Sequence, residues 1–274
     1  MSDDWIKKVR VGTSGFSFPD WAKTFYPAGL PRDLWLRYYS SIFNALELNT
    51  TFYAIPERER IERMVVRLPE NFEMLVKIPQ NITHRHLSRR EMKSELSKLD
   101  ESLTPAFEKG IIVGYIAQFP ESFKPSEHNR EVLMDIIEFI RGQKFLEFRN
   151  ILWQTDETLS ILRENEIGWV IPDVPKIERL TQSQPIITCP YAYVRLHGRN
   201  KQNWYSGEKD RYDYLYSDDE LTQIIELVKE LSMRDTEKVF VFFNNCHMGK
   251  AARNAIKFCE MLGLHKPKKG LFDI

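Results

Sequence analysis

The sequence predicts a single (β/α)8 barrel, a TIM barrel that takes in residues 1–274 as one domain. Three observations carry that expectation. Short apolar runs alternate with segments of helical period along the whole chain, the order expected of parallel strands joined by helical crossovers. Eight such units can be read, and they fit the roughly 250 residues typical of such a barrel. Nearly every apolar run also ends in a polar or charged residue, as barrel strands do where they reach a wet rim.

The first strand is Val9–Gly12, opening into Thr13-Ser14-Gly15. Pro31 then stands at a first helical position, with Leu34, Tyr38 and Ile42 at spacings of four. Ala45–Thr50 is the second strand, followed by a helix over Glu57–Leu68 that stops at Pro69. The third strand, Glu73–Ile78, precedes Ser88-Arg89-Arg90-Glu91, which has capping-box spacing ahead of Leu96, Leu99, Leu103 and Phe107. Ile111–Phe119 is the fourth strand, and Ser126 can cap the helix that carries Leu133, Ile136 and Ile137. Lys144–Arg149 is the fifth, with a short helix after Thr155.

Gly168–Asp173 is the sixth strand. The residues after it, Val174–Pro190, hold three prolines and predict a weak or irregular sixth helix. The seventh strand, Tyr191–His197, runs into a long loop, Gly198–Tyr216, before the capping box of Ser217-Asp218-Asp219-Glu220. The eighth, Val239–Asn245, leads to a last helix from Lys250 to Leu262, with Gly263 as its stop. A doubly wound open sheet is the alternative architecture, but Gly12-Thr13-Ser14-Gly15 is not a dinucleotide-binding turn.

Composition narrows the function classes. The formal net charge is zero, so no global field draws the protein to nucleic acid or to an anionic membrane. Three cysteines, Cys189, Cys246 and Cys259, are too few and too unevenly spaced for a disulfide framework or a zinc site. With no basic-then-apolar leader and no membrane-length apolar stretch, a cytoplasmic location is expected.

The strand ends carry the chemistry. Side chains alternate along a strand, so Glu47 and Asn49 share a face, as do Glu147 and Arg149, and Tyr193, Arg195 and His197. Buried between helices, a lone charge would cost several kcal/mol. One wet mouth at the C-terminal rim removes that cost, so the strand ends predict a pocket there. Its candidate catalytic residues are Glu47, Lys77, Glu147, Asp173 and His197. Its candidate substrate-binding residues are Asn49, Tyr53, Gln118, Arg149, Tyr193, Arg195, Asn244 and Asn245. Above it, Gly198–Tyr216 interleaves Arg199, Lys201, Lys209 and Arg211 with Trp204, Tyr205, Tyr212, Tyr214 and Tyr216, and is expected to form a lid. His84-Arg85-His86 either reaches over the mouth or forms a solvated loop.

These residues also carry a family resemblance. Val11-Gly12-Thr13-Ser14-Gly15-Phe16-Ser17-Phe18-Pro19-Asp20-Trp21, Leu46-Glu47-Leu48-Asn49-Thr50-Thr51-Phe52-Tyr53, Glu147-Phe148-Arg149, Val194-Arg195-Leu196-His197-Gly198-Arg199 and Val241-Phe242-Phe243-Asn244-Asn245 resemble the YecE-like family, catalogued as domain of unknown function 72. The resemblance covers essentially the whole chain. It implies a TIM barrel and supplies no activity. Many relatives have His where this chain has Asn150, and Asp where it has Cys246.

The expected function is that of an enzyme using acid–base chemistry on a small anionic, sugar-like molecule bearing phosphate or carboxylate. Arg149, Arg195 and Lys77 would hold the anion, and Glu47 or Glu147 would move a proton with His197 or Asp173 as partner. No cofactor is expected. One alternative gathers Glu47, Glu147, Asp173 and His197 around a divalent metal, for hydrolysis or isomerisation, including phosphodiester cleavage in nucleic acid. Another is a non-catalytic anion-binding module.

Overall fold

The computed structural model describes residues 3–85 and 87–264. Eight parallel strands form one sheet: β1 (Val9–Thr13), β2 (Ala45–Leu48), β3 (Glu73–Lys77), β4 (Ile112–Phe119), β5 (Gln143–Phe148), β6 (Gly168–Asp173), β7 (Tyr191–Leu196) and β8 (Lys238–Phe243). Their spatial order, β1-β8-β7-β6-β5-β4-β3-β2, wraps the sheet into a nearly closed barrel with helices outside. The capping signals behave as their chemistry requires. Ser88 and Ser217 head helices Arg89–Glu108 and Asp218–Met233 with complete capping boxes, while Ser126 and Thr155 accept from the third residue beyond them.

Alternation on each strand splits the apolar residues into two cores. Val239, Val241 and Phe243 of β8 face the helices, and Phe240 and Phe242 face the barrel axis. With Ala45, Leu75, Ile116, Phe145, Val170 and Tyr193, these two phenylalanines fill the interior, so the barrel is a packed core and not a channel. Gly168 makes room for that packing, since a Cβ there would lie 2.3 Å from the Phe145 ring. The N-terminal end is closed by Glu73, which binds Arg10 at 2.7 Å and also Lys238.

The structure departs from the expected ring in two places. Between β6 and β7 there is no helix at all among the described residues. The proline-bearing chain runs as turns and irregular backbone, and Leu180 forms an isolated antiparallel bridge with Asn150. The second departure is the seam between β1 and β2, which have no continuous ladder, only the Ser14–Glu47 bridge with Gly15 N donating to Glu47 O at 2.8 Å. Side chains complete the seam. The Tyr39 hydroxyl, from helix Trp35–Ile42, accepts from Thr13 N at 2.8 Å and donates to Ala45 O at 3.1 Å, and Asn44 Oδ1 accepts from Val11 N at 2.8 Å. Gly12 is needed for the approach, because a Cβ would fall 2.1 Å from Ala45 O.

The seam yields a first prediction. Tyr39→Phe keeps the ring and removes the hydroxyl that serves two strand groups. Stranding a buried backbone group costs roughly 1–3 kcal/mol, and a drop of that size in urea unfolding is expected. An unchanged midpoint would show that the seam does not depend on Tyr39.

Candidate active site at the barrel rim

The barrel axis at its C-terminal end is occupied by charge. Glu47, Lys77, Gln118, Glu147, Arg195 and His197 all stand one or two steps above the apolar residues of their own strands, on the same inward face. At the lowest level Arg195 lies between two carboxylates. Its Nε and Nη2 reach Glu47 at 2.8 and 2.7 Å, and its Nη1 reaches Glu147 at 2.7 Å. The Tyr193 hydroxyl donates to Glu47 as well. Glu147 Oε1 has Arg149 Nε at 2.6 Å and His197 Nε2 at 3.1 Å, both at angles poor for hydrogen bonding. Asn244 Nδ2 lies 2.8 Å from His197 Nδ1.

Burial and charge act in opposite directions on these groups. Burial alone would raise the Glu147 carboxyl, but Arg195, Arg149 and His197 outweigh it and hold the group well below the usual carboxylate range. Burial would lower Arg195, and Glu47 and Glu147 instead raise it well above its ordinary value. His197 is pushed down to about 3 by burial and by Arg149, which Glu147 only partly offsets, so it is neutral at physiological pH. Glu47, Glu147 and His197 are fully buried, and none of them lines open space.

Above this floor opens a cavity of about 490 Å³, within the range of small-molecule sites. Asn49, Tyr53, Lys77, Gln118, Arg149, Arg195 and Asn244 line it, as expected of the rim. Lys77 Nζ hydrogen-bonds Gln118 Oε1 at 3.1 Å and sits 3.7 Å from the centre of the Phe52 ring. Among the described residues no carboxylate is within ion-pair distance of it. Burial first, and Arg195 second, bring its ammonium down to about 7, against the opposing pull of Glu47 and Glu147.

Of the expected residues that do not line the cavity, Glu47, Glu147, His197 and Tyr193 are buried beneath it, and Asp173 and Asn245 face away from the barrel axis. Val170 faces the interior, so on β6 the register turns Asp173 outward. There its carboxylate takes Arg199 Nη2 at 2.7 Å and the Tyr216 hydroxyl at 2.8 Å. Asn245 follows the inward Asn244 and so points the other way, to Tyr214 O at 2.9 Å and Asn254 Oδ1 at 3.0 Å. The four-residue metal set is therefore not assembled: Asp173 lies outside the barrel, and Arg195 holds both Glu47 and Glu147.

Other lining residues did not stand out in the sequence. Phe52 comes from a single helical turn, Thr50–Tyr53, and His84 from another, Gln80–His84. His84 is lowered to about 4, by burial first and then by Lys77 and Arg149. Of the neighbouring residues, His86 lies outside the described ones. The loop after β7 roofs the cavity. Tyr216 and Tyr214 fasten its far end, through Gly198 N at 2.8 Å and Glu220 at 2.6 Å. Trp204 is buried against Val174, Ile177 and Leu180, and both Arg149 and Arg211 stand 5.3 Å from its ring. The loop is thus packed down over the mouth.

A family model described as "Protein of unknown function DUF72" matches residues 10–271. The chain belongs to this family. Over 287 aligned residues it is 29% identical to the UPF0759 protein YunF of Bacillus subtilis, with 93% of this chain and 95% of that protein covered. The fold superposes on the crystal structure of a DUF72 family protein from Thermotoga maritima with a TM-score of 0.85, at 39% identity over 93% of this chain and 99% of that one. A DUF72 family protein from Enterococcus faecalis gives 0.83 at 26% identity, covering 97% of this chain and all of that one.

The buried histidine gives a second prediction. His197 has a folded pKa below its unfolded value of about 6.5, so between about 6.5 and about 3 the unfolded chain binds the extra proton. Its contribution to stability is complete above that window and is lost as pH falls through it. From pH 6.5 to 5, above the carboxylate range, His197 should contribute a slope approaching about 1.4 kcal/mol per pH unit to the fall in stability. His197→Asn should remove the share of the slope that His197 supplies and leave the share of His84, which burial also lowers. Equal slopes in urea titrations of both proteins would contradict a buried neutral imidazole.

Proposed function

We propose that the protein is an enzyme that binds a small anionic, sugar-like molecule in the rim cavity and acts on it by acid–base chemistry centred on Lys77. One observation carries this reading: four cations face the cavity, the carboxylates beneath it are already engaged, and the one lining carboxylate among the described residues, Glu121, takes the Tyr205 hydroxyl at 2.9 Å and Arg179 at 3.5 Å. Lys77, Arg149, Arg195 and Arg211 line the space, and Glu47 and Glu147 are held by Arg195 below it. The indole of Trp204 keeps Arg149 and Arg211 in one neighbourhood, and Arg211 Nε is fixed to Trp204 O at 2.7 Å. Two oriented guanidinium groups suit a phosphate or carboxylate, and Asn49, Gln118 and Asn244 offer amides for hydroxyl groups.

In this reading Glu47 and Glu147 are not the proton-moving groups. They hold Arg195 in place, and the proton passes between the substrate and Lys77, whose value near neutrality suits either direction of transfer. His84, a neutral imidazole lining the same space, is the partner.

The two roof-side arginines separate binding from scaffolding. A charge-assisted contact is worth about 1.5–3 kcal/mol, roughly ten- to a hundredfold in affinity. Arg211→Ala should therefore weaken inorganic phosphate binding by calorimetry at least about tenfold and leave the unfolding midpoint nearly unchanged. Arg149→Ala should also lower stability, by less than the roughly 3–5 kcal/mol of an uncompensated buried charge, because Glu147 loses one buried partner and keeps Arg195. Phosphate binding that neither substitution weakens would remove the anionic-substrate reading.

A further inference from the structure

The amine of Lys77 has surroundings that simple proton transfer does not require. It stands at the cavity floor on β3, with an aromatic face on one side and an amide oxygen on another. Glu47 from β2, Glu147 from β5, Arg149 just beyond β5, Arg195 from β7 and His84 from Gln80–His84 are the charged or titratable groups that act on it. Both of those carboxylates are bound to Arg195, so neither forms an ion pair with the amine. An amine that is largely desolvated, lacks a paired carboxylate and lies near cations is the arrangement that makes lysine a nucleophile.

We propose that Lys77 Nζ adds to the carbonyl carbon of an anionic aldehyde or ketone and forms a Schiff base, with Arg149 and Arg211 holding the substrate's phosphate or carboxylate. The inference rests on the anionic-substrate reading and names the substrate class as carbonyl compounds. The balance is complete without any co-reactant. The nitrogen lone pair forms the C–N bond as the C=O π pair moves to oxygen. The two protons of the amine end on that oxygen, the C–O bond breaks, and water leaves. Solvent then supplies one proton to make the iminium, and water reverses every step. Neutral His84 faces the cavity and can carry protons between nitrogen and oxygen. Phe52 covers the site on its apolar side, which keeps the amine dry.

The test is reductive trapping on the intact protein at pH 7. Pyruvate serves as the carboxylated probe and dihydroxyacetone phosphate as the phosphorylated one, each with cyanoborohydride, and peptide mapping locates the adducts. At pH 7 about half of an amine with a value near 7 is unprotonated, against fewer than about one in a thousand of ordinary lysines. The expected result is one reduced adduct per chain, at Lys77, with at least one probe. Inorganic phosphate should suppress it, and it should be lost in Lys77→Met, with Lys77→Arg as the second variant should the first fold poorly. Adducts spread over surface lysines, with Lys77 labelled no faster than they are, would overturn the inference. Arg211-dependent phosphate binding with no Lys77 adduct would overturn the Schiff base and leave the anion site standing. A Lys77 adduct indifferent to phosphate and to Arg211→Ala would support the Schiff base and overturn the anion reading.

Discussion

Arg195 between Glu47 and Glu147 is the interaction on which the upper half of the barrel depends. Three charges from β7, β2 and β5 meet on the barrel axis with essentially no exposure, where each alone would be strongly disfavoured. Together they satisfy one another, and they link strands that are not neighbours in the sheet. The consequence lies one level higher. With both carboxylates occupied, the floor groups that reach open space are cationic or neutral, and Lys77 has no ion-pair partner to keep its ammonium form favoured.

The same logic explains why so little of the floor is exposed. Glu147 receives Arg149 and His197 as well as Arg195, so its partners surround it and keep it out of contact with solvent. Tyr193 continues the network downward to the apolar interior, where its ring meets Phe145 edge-on at 5.2 Å. The change from hydrocarbon to ion pairs to cavity therefore happens over about four residues of chain, because it takes two inward steps of two residues each.

Much of this was legible in the sequence, for stateable reasons. Capping boxes at Ser88 and Ser217 and polar endings on apolar runs are local signals, and they set the unit order and the rim. Period-two reasoning placed Glu147 with Arg149 and Arg195 with His197 correctly, because each pair lies on one strand or the residue that directly extends it. It failed for Asp173. The run Gly168–Asp173 is buried on both faces, so no alternation reveals which residues point inward. Asn244 and Asn245 are adjacent, so at most one of them could enter the pocket. The β1–β2 seam was hidden because Tyr39 sits in an apolar helix, and nothing local marks its hydroxyl as a substitute for strand pairing. His84 and Phe52 come from single helical turns, too short to show a period.

The central claim is that the engaged floor leaves Lys77 as a neutral-range amine facing the cavity. The most direct measurement is the NMR titration of Lys77 in protein labelled with carbon-13 at the lysine ε position, with the resonance assigned by its disappearance in Lys77→Met. A midpoint near 7 is predicted. A midpoint near the ordinary lysine value of about 10.4 would contradict the account, because it would mean that the carboxylates below still hold the ammonium form.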